Sequence, residues 1–227
     1  IHALAGQQGE TYEKVCDALK ANYDGYHFTP DTPGMYNPFS LLNTFAKNRF
    51  GNYWFATGTP TYLVELLKQN DYKVNDINGV MVGEEMLAGI DAADTDPIPV
   101  IYQSGYLTIK DYDPEFSLYT LGYPNKEVEE GFIKFLVPFY TPIVESKSGF
   151  QVKNFVREVR TGDIDGFFTR LRSFFSDTTY ELVRLQELHY SNVLYIVFKL
   201  MGFYTQVEYH TSNGRIDLVL QTSDYIY

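Results

Sequence analysis

Two acidic residues near the end of the sequence have side chains that could bind a metal ion. Asp217 lies among alternating apolar residues that predict a β-strand over residues 215–220. Glu187 lies in a longer apolar stretch that predicts a helix over residues 179–201. A carboxylate in an apolar strand is costly to bury unless it is paired or bound to a cation. A solvent-facing Asp on a half-exposed strand is the alternative, and for an isolated Asp it is the commoner arrangement.

The elements that must position these two residues are a helix followed by a β-meander. Residues 203–210 alternate in the manner of a strand. Residues 212–214 (Ser-Asn-Gly) predict a turn, because Asn and Gly tolerate positive φ. The strand of Asp217 follows, and a third strand begins at Tyr225. On the preceding helix, Glu187 shares one face with the residues three, four and seven positions later.

Residues 214–220 (Gly-Arg-Ile-Asp-Leu-Val-Leu) and residues 187–190 (Glu-Leu-His-Tyr) resemble the PD-(D/E)xK nuclease superfamily. The resemblance is to the bacterial branch in which the nuclease domain is fused to an AAA-ATPase-like module. It implies a nuclease-type α/β core that hydrolyses phosphodiesters with Mg²⁺, with nucleic acid as the partner of the complete protein. It also implies that Asp217 is the central metal ligand and that Glu187 is an auxiliary acid, so these two are the predicted catalytic and metal-binding residues.

The same family carries an acid-x-Lys pair on the strand after the Asp strand. Here that strand has barely begun at Tyr227. We therefore interpret the chain as a fragment with a truncated nuclease core and expect it to be inactive and without bound Mg²⁺. The short last strand would leave unpaired backbone groups, which favour self-association with a neighbouring chain.

Four further segments resemble the same fused family, at the end of its ATPase-like module and just after it. They are residues 23–26 (Tyr-Asp-Gly-Tyr), 36–40 (Tyr-Asn-Pro-Phe-Ser), 53–58 (Tyr-Trp-Phe-Ala-Thr-Gly) and 124–128 (Pro-Asn-Lys-Glu-Val). The sequence lacks a Gly-x-x-x-x-Gly-Lys-Ser/Thr loop, whose backbone N–H groups would cradle phosphates. We therefore expect no useful binding of ATP or GTP.

The pattern of elements predicts an α+β fold that is mainly helical, in two domains. The resemblance implies that residues 1–122 form the end of the ATPase-like module, and helices followed by a hairpin at residues 105–109 and 116–120 predict a winged-helix-like unit within it. That hairpin is acidic, which favours packing over DNA binding. Residues 123–227 form a helical segment, capped at its start by Asn125, and then the truncated nuclease-like domain. Glu127 is predicted as a favourable first-turn acid of that helix.

The composition restricts the possible partners. The chain of 227 residues has a formal net charge of −11, which disfavours strong nonspecific binding to nucleic acid. Basic residues concentrate in residues 147–172, where a solvated helix face is a commoner explanation than a binding surface. A lone Cys16, the absence of a signal peptide and the absence of a membrane-spanning stretch predict a cytoplasmic protein without a membrane partner.

No constellation for nucleophilic catalysis competes with the two acids, since the sequence has neither Gly-x-Ser-x-Gly nor His-Glu-x-x-His. His189 and His210 are more readily explained as hydrogen-bonding or surface residues than as ligands. Glu187 is almost equally well explained as an ordinary exposed acid. A non-catalytic regulatory or interaction module with a degenerate nuclease fold is therefore the alternative function.

Overall fold

A computed structural model describes residues 1–55, 61–88, 96–141, 145–175, 183–202, 207–212, 215–220 and 225. The fold is α+β and mainly helical, as the sequence predicts. The chain divides into two compact units. Unit 1 comprises Ile1–Tyr72 and Asp76–Phe132, and unit 2 comprises Lys73–Asn75 and Ile133–Tyr227.

The helices and strands are numbered in the order of the chain. The helices are α1 (His2–Gln8), α2 (Tyr12–Tyr23), α3 (Pro38–Lys47), α4 (Thr61–Gln69), α5 (Glu84–Ala88), α6 (Ile98–Gln103), α7 (Lys126–Tyr140), α8 (Glu145–Thr161), α9 (Ile164–Phe175) and α10 (Val183–Gly202). The strands are β1 (Val80–Gly83), β2 (Thr108–Asp113), β3 (Leu118–Gly122), β4 (Val207–Ser212) and β5 (Arg215–Leu220). A 3₁₀ turn covers Val74–Ile77. None of the described helices is both long and apolar enough to cross a membrane.

The first helices of unit 1 form around a small apolar cluster. Leu4 of α1 packs with Val15, Leu19 and Tyr23 of α2, and all four are almost fully buried. The apolar residues of α2 lie on one stripe, and burying that stripe supplies most of the stability of a helix of this length. The side chain of Thr11 caps α2 by accepting a hydrogen bond from the backbone N–H of Lys14.

Two predicted helix caps are confirmed. Asn37 Oδ1 accepts hydrogen bonds from the backbone N–H groups of Phe39 and Ser40, at 3.1 and 3.3 Å, with Pro38 in the first helical position of α3. Asn125 Oδ1 accepts from the N–H of Val128 at 3.1 Å at the start of α7. Both caps satisfy N–H groups that the helix itself cannot pair.

Gly25 lies directly after the end of α2 and allows another segment of the backbone to approach it closely. The residue that ends α2 is Asp24, in an extended conformation. Gly25 itself has φ +107°, and a Cβ built on it would lie 2.2 Å from the carbonyl oxygen of Pro124. Only glycine allows this backbone conformation together with such a close approach of a second backbone segment.

The predicted hairpin is part of a three-stranded antiparallel sheet in the order β1-β3-β2. Its two strands begin two to three residues later than predicted, and β1 adds a third strand through the pair Val80 and Leu121. Ile109 and Leu121 are buried, whereas Asp111 and Asp113 are exposed. The sheet is therefore buried at the end that holds Ile109 and Leu121 and becomes exposed towards the hairpin turn at residues 114–117. The assignment of this unit as winged-helix-like stays a prediction.

Unit 2 is built from aromatic contacts between α8 and α9 and from the buried face of α10. The ring of Phe155 lies 5.4 Å from that of Phe167 and 5.1 Å from that of Phe174. Phe198 of α10 lies 6.1 Å from Phe167. The apolar stripe of α9 is therefore a core face, although Phe168 is 57% exposed.

The division between the units falls inside α7, ten residues after the boundary predicted at 122/123. The physical reason is that Glu127, in the first turn of α7, is hydrogen-bonded to Ser40 and to the backbone of Trp54 in unit 1. These contacts tie the start of the helix to residues that are far away in the sequence.

Candidate active site

The helix predicted to carry Glu187 is present as α10, and the predicted residues 179–182 lie outside the described residues. The Glu187 side chain is exposed in the second turn of the helix. One turn further along the same face of the helix, Ser191 is only 9% exposed. Val193 and Ile196, which follow on α10, are fully buried. Glu187 therefore sits where α10 passes from solvent into the core of unit 2.

The predicted hairpin after α10 is also present. Strands β4 and β5 pair in antiparallel register, with Val207 opposite Leu220 and Ser212 opposite Arg215. Asp217 lies on β5, and its register partner on β4 is His210. Strand β4 contacts α10, so the helix and the hairpin form one substructure within unit 2.

The side chains of Asp217, His210 and Arg215 lie outside the described residues. The predicted separation of roughly 4–8 Å between the carboxylates of Asp217 and Glu187, which a shared cation would require, therefore stays a prediction. Residues 226–227 of the predicted third strand also lie outside the described part of the chain, so self-association through that strand is likewise untested.

A site for Mg²⁺ needs several oxygen ligands, because this cation prefers carboxylates and water in octahedral geometry. Glu187 supplies an exposed carboxylate of the required chemistry. Among the described residues, no group of three or more His, Cys, Asp or Glu residues could hold a metal ion. The described residues therefore supply only part of the ligand set that Mg²⁺ needs, and a second carboxylate ligand would have to come from Asp217.

Unit 2 contains a buried acid that the sequence did not predict. Glu158 of α8 is 3% exposed, and the Nε of Arg170 on α9 donates to its two carboxylate oxygens at 2.9 and 3.0 Å. Arg170 Nη1 also donates to Gln151 Oε1 at 2.6 Å. Because both oxygens of Glu158 already accept hydrogen bonds from a cation, this acid is a structural group that joins α8 to α9, and it is unsuitable as a metal ligand.

A second buried acid is Glu127 in unit 1, which lies in the first turn of α7 as predicted. It is 1% exposed, and its Oε1 accepts hydrogen bonds from the Ser40 hydroxyl at 2.8 Å and from the backbone N–H of Trp54 at 3.0 Å. Within the described part of the chain, Oε2 has no hydrogen-bond partner. Ser40 and Trp54, from two segments that are distant in the sequence, thus both contact the carboxyl group of Glu127.

Burial raises the pKa of the Glu127 carboxyl, and the hydrogen bonds from the backbone of Trp54, from Ser40 and from the backbone of Tyr53 oppose this shift only in part. Burial also raises the pKa of the Tyr26 hydroxyl, and the negative charge of Glu127 raises it further. The cluster around Glu127 therefore favours a neutral acid and a neutral phenol.

We expect the raised pKa of Glu127 to make the stability of unit 1 depend on pH. The folded chain holds the Glu127 proton more tightly than the unfolded chain does, so this stabilisation is full below the ordinary Glu pKa of about 4.3. It is lost as the pH rises through the raised pKa of the folded state. A Glu127→Gln variant does not titrate, so its free energy of unfolding should increase relative to that of the wild type between about pH 4 and neutral pH. Urea unfolding at several pH values measures this difference.

A Glu127→Leu variant is the matched control for the hydrogen bonds. It leaves the Ser40 hydroxyl and the Trp54 N–H without their acceptor, at a cost of about 1–3 kcal/mol for each group at every pH. If the free energies of unfolding of the wild type and of the Glu127→Gln variant change with pH in the same way, Glu127 does not titrate with a raised pKa.

The helix and the hairpin of unit 2 can now be compared with known proteins. Residues 185–227 match the PD-(D/E)XK nuclease superfamily. This region contains nearly all of α10, both strands of the hairpin, and both predicted site residues, Glu187 and Asp217. The nuclease-superfamily part of the predicted resemblance is confirmed for this region.

A relative from Azotobacter chroococcum mcd 1, named "Uncharacterized protein in vnfD 5'region", is 31% identical over 218 residues. The alignment covers 93% of the chain but only 42% of that relative, so the chain spans less than half of the relative's length. No solved structure matches the chain. These comparisons contain no evidence for the predicted AAA-ATPase-like module in residues 1–122.

Proposed function

We propose that unit 2 carries part of the active site of a metal-dependent nuclease, in which Asp217 and Glu187 hold a divalent cation such as Mg²⁺. The observation that supports the proposal is the nuclease-superfamily match over residues 185–227, which contains both acids. The helix and the hairpin that the nuclease hypothesis requires are both present in this region. Hydrolysis of phosphodiester bonds in nucleic acid is the reaction that such a site supports best.

The chemistry of the two acids suits this role. Carboxylate oxygens are the protein ligands that Mg²⁺ prefers. When bound, the cation would activate a water molecule and neutralise charge on the phosphate. The part of Asp217 and Glu187 is to hold the cation from two different elements, a strand and the helix before it.

The finer parts of the function are also proposals. We propose that residues 1–122 belong to an ATPase-like module of a longer protein, in line with the resemblance of residues 23–26, 36–40 and 53–58. Nucleic acid is then the partner of the complete protein, and an acid-x-Lys pair must complete the site.

The test uses the complete natural protein, including any residues that follow Tyr227. It is incubated with end-labelled single-stranded and double-stranded DNA and RNA, with Mg²⁺ or Mn²⁺ and, as a control, with a chelator. We expect cleavage of at least one substrate that needs the added metal. Full activity in the presence of the chelator would contradict the proposal, and so would a complete protein that cleaves none of these substrates.

A further inference from the structure

Unit 2 contains a cavity that the proposed nuclease site does not use. It lies beside α8, with contributions from the second half of α7 and from the end of α10, and its volume is about 580 Å³. Its apolar floor consists of Val152 and Val156, four residues apart on α8, and Leu200 of α10. Val156 and Leu200 are buried at 6% and 2% exposure. Pockets for small organic ligands have volumes of about 300–1,000 Å³ and mostly apolar walls.

The rim of this cavity is basic. The charged residues among the described residues that line it are cations: Lys134 from α7 and Lys153, Arg157 and Arg160 from α8. The three on α8 are exposed, and their spacing of four and three residues places them along one face. No acidic residue is among the described residues that line the cavity. This local positive charge stands out in a chain with a net charge of −11.

Two of the cations repel each other unless an anion is present. Lys153 and Arg157 are four residues apart on a helix, where like charges destabilise each other. Within the described part of the chain, neither of the two has an ion-pair partner. The long aliphatic stems of Lys and Arg side chains can cover an apolar ligand while their charged ends stay in water.

We propose that this cavity binds an amphipathic organic anion, with an apolar body on the Val152, Val156 and Leu200 floor and an acidic group between Lys153 and Arg157. An inorganic phosphate would use the rim but would leave the apolar floor in contact with water. A nucleic-acid base fits less well, because bases usually stack on aromatic side chains and none is among the described lining residues. The proposal is independent of the nuclease site.

Saturated carboxylates are the probe. Octanoate, decanoate and dodecanoate, each kept below its micelle concentration, are titrated into the chain by calorimetry. We expect one site, with the dissociation constant falling by up to about fourfold for each added methylene that is buried. Decyltrimethylammonium has a similar apolar body and a positive charge, and it should not bind at the same concentrations.

Charge and cavity variants locate the site. Lys153→Glu and Arg157→Glu should each weaken dodecanoate binding about tenfold or more, because each replaces an attraction by a repulsion. Lys20→Glu, an exposed position of unit 1, makes the same change in net charge and should leave binding unchanged. Val152→Trp fills the cavity at a half-buried position and should abolish binding. Circular dichroism of each variant checks that the helices remain.

Several outcomes would overturn the proposal. One is that the wild-type chain binds the carboxylates and decyltrimethylammonium equally well. Another is that the Lys20→Glu and Arg157→Glu variants bind dodecanoate equally well. A third is that no carboxylate binds while Arg157→Glu weakens binding of a fluorescent oligothymidylate, which would make the rim a nucleic-acid surface. An Asp217→Asn variant should bind dodecanoate normally, so failure of the nuclease proposal and failure of this one are distinguishable.

Discussion

Replacing Asp217 with Asn should abolish metal-dependent cleavage by the complete protein. Asn keeps the size of the side chain and one oxygen ligand but removes the negative charge that holds the cation. A catalytic metal ion contributes several kcal/mol to transition-state stabilisation, and 1.4 kcal/mol corresponds to a tenfold change in rate. We therefore expect the cleavage rate to fall about a hundredfold or more. Rates of cleavage of a labelled oligonucleotide at saturating Mg²⁺ measure the effect.

Two further variants give this experiment its controls. Glu187→Gln should reduce the rate by a smaller factor, because the resemblance assigns Glu187 an auxiliary role. Asp165→Asn, at an exposed position of α9 in the same unit, makes the same chemical change and should leave the rate unchanged. An Asp217→Asn protein that cleaves as fast as the wild type would remove Asp217 from the site. Calorimetry should show a decrease in metal affinity, and an unchanged circular dichroism spectrum would show that the fold remains.

Replacing Arg170 with Met should destabilise unit 2 by about 3–5 kcal/mol, because it leaves a buried carboxylate without its cation. The Glu158 side chain is only 4% exposed, and the Arg170 side chain is 22% exposed. The double variant Arg170→Met with Glu158→Leu removes both charges, and it should recover most of the lost stability because an apolar pair is often as stable as a buried ion pair. Urea unfolding followed by circular dichroism measures the free energies.

An exposed ion pair is the matched control. Lys14 Nζ lies 2.9 Å from Glu10 Oε2, and the two side chains are 69% and 46% exposed. Replacing Lys14 with Met should cost no more than about 0.5 kcal/mol, because water and salt screen this pair. A single Arg170→Met variant as stable as Lys14→Met would mean that Glu158 gains access to solvent when its partner is removed.

The local parts of the fold were predictable from the sequence because their causes are local. Asn37 followed by Pro38 predicts a helix start, and the side chain of Asn37 does cap α3. Helix α7 begins directly after Asn125, the residue predicted to cap it. The strands of the first hairpin were predicted less accurately, because strand bounds depend on pairing partners such as β1 that are distant in the sequence.

The long-range parts of the fold were not predictable from the sequence. Nothing near Glu127 indicates that Ser40, 87 positions earlier, donates a hydrogen bond to it. Glu158 likewise resembles an exposed helix acid until α9 brings Arg170 against it. In both cases the sequence pattern shows a polar residue on a helix, and only the packing of another element shows that it is buried.

For the candidate site, the sequence predicted the helix and the hairpin but not the register within it. Strands β4 and β5 pair in a register that places His210 opposite Asp217. A single-sequence pattern does not show which residues face each other across a strand pair. His210 is therefore a position that the nuclease hypothesis had not included.

The aromatic contacts of Trp54 have a practical consequence for spectroscopy. Trp54 is the single tryptophan of the chain, and its indole ring lies 5.3 Å from the ring of Phe55 and 4.9 Å from the ring of Tyr106, all in unit 1. Its fluorescence emission therefore reports on the surroundings of one unit, whereas the far-ultraviolet signal averages over the helices of both. Denaturation curves recorded by the two signals coincide only if the units unfold together, so the chain contains its own optical probe of cooperativity.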